Sequence, residues 1–182
     1  PIPIGKLNRK AVLSRPQEKE PRAPLPDPAE GIEVTDEYRR VEKLLNDGCP
    51  LVFVTGKAGT GKTTLIHYLR KKLNKNVVVV APTGVAALNV KGSTIHSFFR
   101  LPPRIINDED IKEVRKRVVY EKIGLLIIDE VSMVRADLID AIDKFLRLNG
   151  PQAGEPFGGI QVLFVGDLFQ LPPVVKRQEE EI

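Results

Sequence analysis

The chain has 182 residues, 42% of them hydrophobic and 29% charged, which is enough for one domain with a substantial core and too little for two full-sized α/β domains. No apolar run approaches the roughly 20 residues that a membrane-spanning helix needs, and a formal charge of +4 permits a polyanionic partner without requiring one. Cys49 is the only cysteine, which excludes an internal disulfide or a cysteine-built metal centre; with no apolar signal segment at the start, the expectation is a cytoplasmic protein, nucleoid-associated in a bacterium.

Residues 1–31 carry seven of the fifteen prolines together with Lys6, Arg9, Lys10 and Arg15, and so read as an extended basic arm or linker. The folded part is expected over 32–182. From Thr35 the pattern turns helical: Thr35 can cap, Asp36 and Glu37 suit the positive end of the helix dipole, and Val41, Leu44 and Leu45 share a face. Four short apolar runs follow, at Leu51–Thr55, Val77–Ala81, Leu125–Ile128 and Val162–Val165. They lack polar alternation and read as strands buried on both faces of a parallel sheet. Between them, Thr63–Leu73 and Ala136–Leu148 place their leucines and isoleucines at helical spacing. Strands alternating with helices predict a doubly wound α/β domain with helices on both faces of a mostly parallel sheet.

The loop between the first strand and its helix, Gly56-Lys57-Ala58-Gly59-Thr60-Gly61-Lys62-Thr63, fits the phosphate-loop pattern G-x-x-x-x-G-K-[ST] in full. Wrapping a polyphosphate in converging backbone N–H groups needs dihedrals and close approaches that a Cβ obstructs, which accounts for Gly56, Gly59 and Gly61. Lys62 is placed to reach the β and γ phosphates and Thr63 to offer its hydroxyl to Mg²⁺, with Ala58, Thr60 and Thr64 completing the cradle. ATP and Mg²⁺ are the expected cofactors. The strand Leu125–Ile128 ends in Asp129-Glu130, at the sheet edge where open α/β folds bind ligands. Asp129 is assigned to the metal shell and Glu130 to polarising an attacking water, an arrangement that favours hydrolysis over transfer. Beyond Ile160–Val165, Gln170 is placed to sense the γ phosphate.

Four ordered strings carry a family resemblance: Ala81-Pro82-Thr83-Gly84-Val85-Ala86-Ala87, Gly92-Ser93-Thr94-Ile95-His96-Ser97-Phe98-Phe99, Ile128-Asp129-Glu130-Val131-Ser132-Met133, and Gly166-Asp167 through Gln170-Leu171-Pro172-Pro173. Together they resemble the PIF (petite integration frequency) DNA helicases, superfamily-one motors related to the RecD-like helicases, over about Leu51 to Val174. The resemblance implies a RecA-like phosphate-loop domain, ATP-driven 5′-to-3′ movement on single-stranded DNA, and unwinding of duplex or fork junctions. It carries Lys62, Thr63, Asp129, Glu130 and Gln170 into the roles already given. It also makes Pro82, Thr83, Gly84, His96, Ser97 and Phe98 the candidates for holding the strand by its phosphates. His96, Phe98 and Phe99 read equally as structural residues.

Where the family carries a wedge-type insertion, this chain has a short one over about 100–121. Within it a helix is expected from Asn107, with Asp108, Glu109 and Asp110 leading and Lys112, Arg115, Lys116 and Arg117 trailing. The family often reads adenine with a Gln upstream of the phosphate loop; the comparable helix here has none and offers Tyr38 as the ring to stack on the base. The family's second RecA-like domain, which supplies an arginine to the transferring phosphoryl group, has no counterpart among these residues, so the expectation is the N-terminal motor domain of a longer helicase. Two other readings stand beside it, a phosphate-loop switch or loader ATPase acting on proteins, and a fragment that binds ATP or DNA without turnover.

Overall fold

The computed structural model describes residues 33–173. The expected proline-rich arm lies outside them. Five strands, β1 (Leu51–Thr55), β2 (Val77–Ala81), β3 (Ser93–Thr94), β4 (Leu125–Ile128) and β5 (Gln161–Gly166), form one all-parallel sheet in the order β1-β5-β4-β2-β3. Helices α1 (Asp36–Asn46), α2 (Lys62–Lys72), α3 (Gly84–Asn89), α4 (Ile95–Phe99), α5 (Val118–Glu121) and α6 (Ala136–Asn149) connect or cover it. The α/β expectation holds, and the bounds of β1, β2 and β4 are those read from the apolar runs.

Alternate residues of the strands feed two cores, one on each face, as a period of two requires. Leu126, Ile128 and Val162 pack with Leu138, Ile142, Phe145 and Leu146 of α6. Leu125, Ile127, Leu163 and Val165 pack with Leu45 of α1 and with Leu65, Ile66 and Leu69 of α2. β4 is buried along its whole length because it sits at the centre of the sheet, between β2 and β5. Burying each such side chain contributes about 1.5–3 kcal/mol.

β1 departs from the expectation of strands buried on both faces: Leu51 is 52% and Phe53 43% exposed. Among the described residues β1 is an edge strand that pairs only with β5, and α6 packs over the middle of the sheet, which leaves Leu51 and Phe53 exposed.

The insertion also differs from expectation. Asn107 does cap, but the turn that follows is a single 3-10 turn, Asp108–Asp110, and the chain is extended again at Ile111. Two side chains explain the break. The Asp110 carboxylate is held by both terminal nitrogens of Arg104, at 2.8 and 2.6 Å. Asn149, fully buried at the end of α6, donates to Lys112 O at 3.1 Å and accepts from Val114 N at 2.8 Å, taking up backbone groups a longer helix would have paired internally. The helical turn resumes only at α5, where Tyr120 is buried against Phe99 and Phe145 and its hydroxyl donates to Phe98 O at 2.9 Å.

Candidate active site

Because every strand runs the same way, the ends of β1, β2, β4 and β5 come to one edge. Register fixes what meets there. Thr55 lies opposite Gly166, and Gly56 N donates to Gly166 O at 3.3 Å, which sets the phosphate loop beside the loop after β5. Val80 lies opposite Ile128, and Asp129 N donates to Val80 O at 2.9 Å, which sets the acidic pair beside the end of β2.

The phosphate loop turns through left-handed Gly59 (φ 78°) and Gly61 (φ 88°) into α2. Lys62 Nζ donates to Gly56 O at 2.6 Å and to Lys57 O at 3.0 Å, and Thr60 Oγ1 donates to Lys57 O at 2.8 Å, so the loop closes on itself around its lysine. A Cβ on Gly61 would stand 2.4 Å from the Tyr38 hydroxyl, which is why the residue before Lys62 must be glycine. Beside the loop lies a cleft of about 350 Å³. Ala58, Gly59 and Gly61 of the loop line it, with Lys62, Thr63 and Thr64 of the α2 N-terminus and, facing them, Asp129, Glu130 and Gln170. The free N–H groups at the start of the 11-residue α2 give this cleft its affinity for anions. Gly56 and Thr60 face the other side of the loop, lining a second cavity with Thr35, Tyr38 and Val54.

Tyr38 does not fill the role expected of it. It is 8% exposed, its ring packs against Tyr68 with centroids 5.7 Å apart, and its hydroxyl donates to Gly61 O at 2.7 Å. Most of the ring is committed to the core, leaving little of it for adenine, and the hydroxyl braces the peptide that leads into Lys62. The signal was an aromatic residue on the buried face of α1, one turn after Thr35.

Asp129 is 6% exposed. Burial pushes its carboxyl up to about 6; the Glu130 backbone N–H opposes this, the Glu130 charge adds to it, and Lys62 opposes it again. A buried carboxyl in that state is suited to a cation that restores its charge, and with the Thr63 hydroxyl in the same cleft the donor set is all oxygen, as Mg²⁺ prefers. Among the described residues no group of three or more His, Cys, Asp or Glu forms a protein-only metal centre, so a cation here would need ligands from outside the protein as well. Glu130 follows with φ 51° and ψ 43°, a left-handed conformation that costs about 1–3 kcal/mol outside glycine. The 3-10 turn Val131–Met133 after it buries the Ser132 hydroxyl oxygen without a hydrogen-bond partner in the described structure. Packing holds this turn in place: a Cβ at Gly166 would come within 2.9 Å of the Val131 side chain. Costs concentrated on the residue that points into a cleft mark a functional turn.

Gln170 reaches the cleft on a loop shaped by Asp167, a residue to which the sequence reading gave no role. Asp167 is 3% exposed; its carboxylate accepts from Phe169 N at 3.0 Å and its carbonyl from Gln170 N at 3.0 Å. This is the Asx-turn chemistry that Gly166-Asp167 at a strand end could have announced.

The strand-holding candidates gather at the same edge. β3 pairs with β2 so that Ala81 lies opposite Thr94, which brings Pro82, Thr83 and Gly84 beside Ile95, His96 and Ser97. Thr83 Oγ1 accepts from Ala86 N at 3.2 Å and Thr94 Oγ1 from Ser97 N at 3.3 Å, so each threonine caps a short helix and keeps its hydroxyl proton to donate. Thr83, Gly84 and Ser97 are exposed and His96 is half-buried, where burial holds its imidazole below the usual range. Phe98 is half-buried too, edge-on to Phe99 at 5.0 Å and to Tyr120 at 5.5 Å, which makes it first a core residue.

The sequence model of the family described as PIF1-like helicase matches residues 33–182. The chain is 38% identical over 169 residues to the ATP-dependent DNA helicase PIF1 of Saccharomyces cerevisiae, covering 82% of this chain and 19% of that protein. It is 42% identical over 137 residues to the ATP-dependent DNA helicase Pif1 of Psychrobacter, covering 70% and 20%. The solved Pif1 of Bacteroides bound to single-stranded DNA aligns with a TM-score of 0.75 at 49% identity, over 82% of this chain and 35% of that one. Its complex with ADP-AlF4 aligns at 0.76 and 49%, over 82% and 36%. The chain therefore spans about a fifth of the length of the curated relatives it matches. The fold is RecA-like, a phosphate-loop α/β domain.

Proposed function

This chain belongs to the PIF1-like helicase family, and from that premise we propose that it is the ATP-binding motor domain of a DNA helicase, coupling ATP hydrolysis to 5′-to-3′ movement on single-stranded DNA. The observation that carries the proposal is the convergence, in one cleft, of the phosphate loop, the α2 N-terminus, Asp129, Glu130 and Gln170. The strand-holding segments stand at the same sheet edge.

In this reading Lys62 and the loop N–H groups bind the β and γ phosphates of ATP. The Thr63 hydroxyl and Asp129 would hold Mg²⁺, which would supply charge neutralisation on the phosphates. Glu130 accepts the proton of the attacking water, and Gln170 offers its amide to a γ-phosphate oxygen and reports its presence through the Asp167 loop. Thr83, Gly84, His96 and Ser97 hold the strand by its backbone, a contact mode that carries little sequence preference. A second RecA-like domain closes the cleft and brings the arginine that this domain's cleft does not contain. Forked or tailed duplexes are the substrates and the cytoplasm or nucleoid the setting, consistent with a single cysteine.

A chain extended to the relatives' length is expected to separate duplexes that carry a 5′ single-stranded tail and to leave 3′-tailed duplexes closed, each followed by strand displacement in the presence of ATP. Opening of 3′-tailed duplexes alone overturns the direction, and opening of neither overturns the helicase reading.

A further inference from the structure

We infer that the tracked strand seats one of its bases in a third cavity, between the strand-holding segments and the insertion. This inference rests on the strand-binding reading above and adds to it a place where a base, not a phosphate, is held.

The cavity has a volume of about 300 Å³ and shares no residue with the nucleotide cleft. That size lies at the low end for ligand sites, room for one ring system. Thr83 and His96 form part of its wall, so a strand held by those segments runs along its mouth. Most of the remaining surface is apolar: Pro82, Pro103 and Ile106 of the insertion, Met133, and Leu138 of α6.

The charges decide what fits. Arg104 lines the cavity but is held by Asp110 in a two-point ion pair. Arg135 and Asp137 line it as a pair with each other, Nε to Oδ1 at 2.8 Å. His96 is kept toward its neutral form by burial. A phosphate entering here would find cations already neutralised and would lose its hydration to apolar walls. A neutral base loses little and gains contact with those walls, while Thr83 and His96 keep the backbone at the mouth.

The test is a cycle of two changes, base removal and cavity filling. Met133 is unsuitable for filling, because it belongs to the turn that follows the left-handed Glu130. Ile106→Trp fills the seat from the opposite wall, and Pro103→Trp, at an exposed position, does so if the first variant fails to fold. Equilibrium binding of a short deoxythymidine strand is compared with that of an abasic strand of the same length and phosphate count. The intact strand is expected to bind the unmodified chain about tenfold more tightly than the abasic one, the weight of one stacked base. In the filled variant that difference shrinks to less than about threefold, with abasic binding unchanged. An unchanged difference in the filled variants, or an equal loss on both strands, overturns the base seat while leaving strand binding in place. Failure of the unmodified chain to bind either strand overturns the strand-binding reading, and the seat with it.

Discussion

Glu130→Gln is expected to bind Mg·ATP with an affinity within about threefold of the unmodified chain and to lose turnover by about 10²- to 10⁴-fold, the usual worth of a positioned general base. The side chain keeps its length and its amide oxygen still accepts a hydrogen bond from water, but it no longer takes the proton. Gln also tolerates the backbone there no worse than Glu, at φ 51°, so the strained turn through Met133 stays as it is. Binding is followed by nucleotide fluorescence, turnover by phosphate release from the chain extended to the relatives' length. Retained turnover would remove Glu130 from the chemistry and leave Asp129 as the remaining carboxylate among the described residues lining the cleft.

Lys62→Ala is expected to fail one step earlier, with nucleotide affinity falling about a hundredfold, the loss of a charge-assisted contact to a polyphosphate. Its Nζ lies 2.6 Å from Gly56 O and 3.0 Å from Lys57 O, held over the loop that wraps the ligand. Alanine at the first position of α2 costs the helix nothing intrinsic, so a thermal unfolding midpoint close to that of the unmodified chain is the accompanying result. The two variants separate binding from chemistry. An equal loss of affinity in both would contradict the assignment of Glu130 to the water, because a general base is not needed to hold the triphosphate.

The parts of the fold legible in the sequence were those with a strong periodic or compositional signal. Val77–Ala81 and Leu125–Ile128 are unbroken apolar runs because the strands are interior, and their limits were plain. The phosphate loop was legible for a different reason: three glycines, a lysine and a threonine at fixed spacing have few other uses. The pieces that escaped are short or depend on distant partners. β3 is two residues long and α4 five, each set by a threonine cap and by pairing to β2, which no local window contains. Asn107 to Arg117 carried every local mark of a helix, and Asn149, far along the chain, redirected its backbone. Tyr38 illustrates the same limit at the site. Its position before the phosphate loop suggested a base to stack on, whereas the fold brings its hydroxyl to Gly61. Exposure of Leu51 and Phe53 was hidden too, because an edge strand and a central one share the same apolar composition.

If the cleft at the sheet edge and the strand-holding segments beside it work as one device, ATP turnover responds to the strand. The most direct test is the rate of ATP hydrolysis, with and without single-stranded DNA, by this chain and by one extended to the relatives' length. The expected result is slow hydrolysis by the 182-residue chain and, in the extended chain, a rate that rises at least about tenfold, or about 1.4 kcal/mol in the barrier, when the strand is added. An extended chain that hydrolyses ATP rapidly and equally well with or without DNA would contradict it.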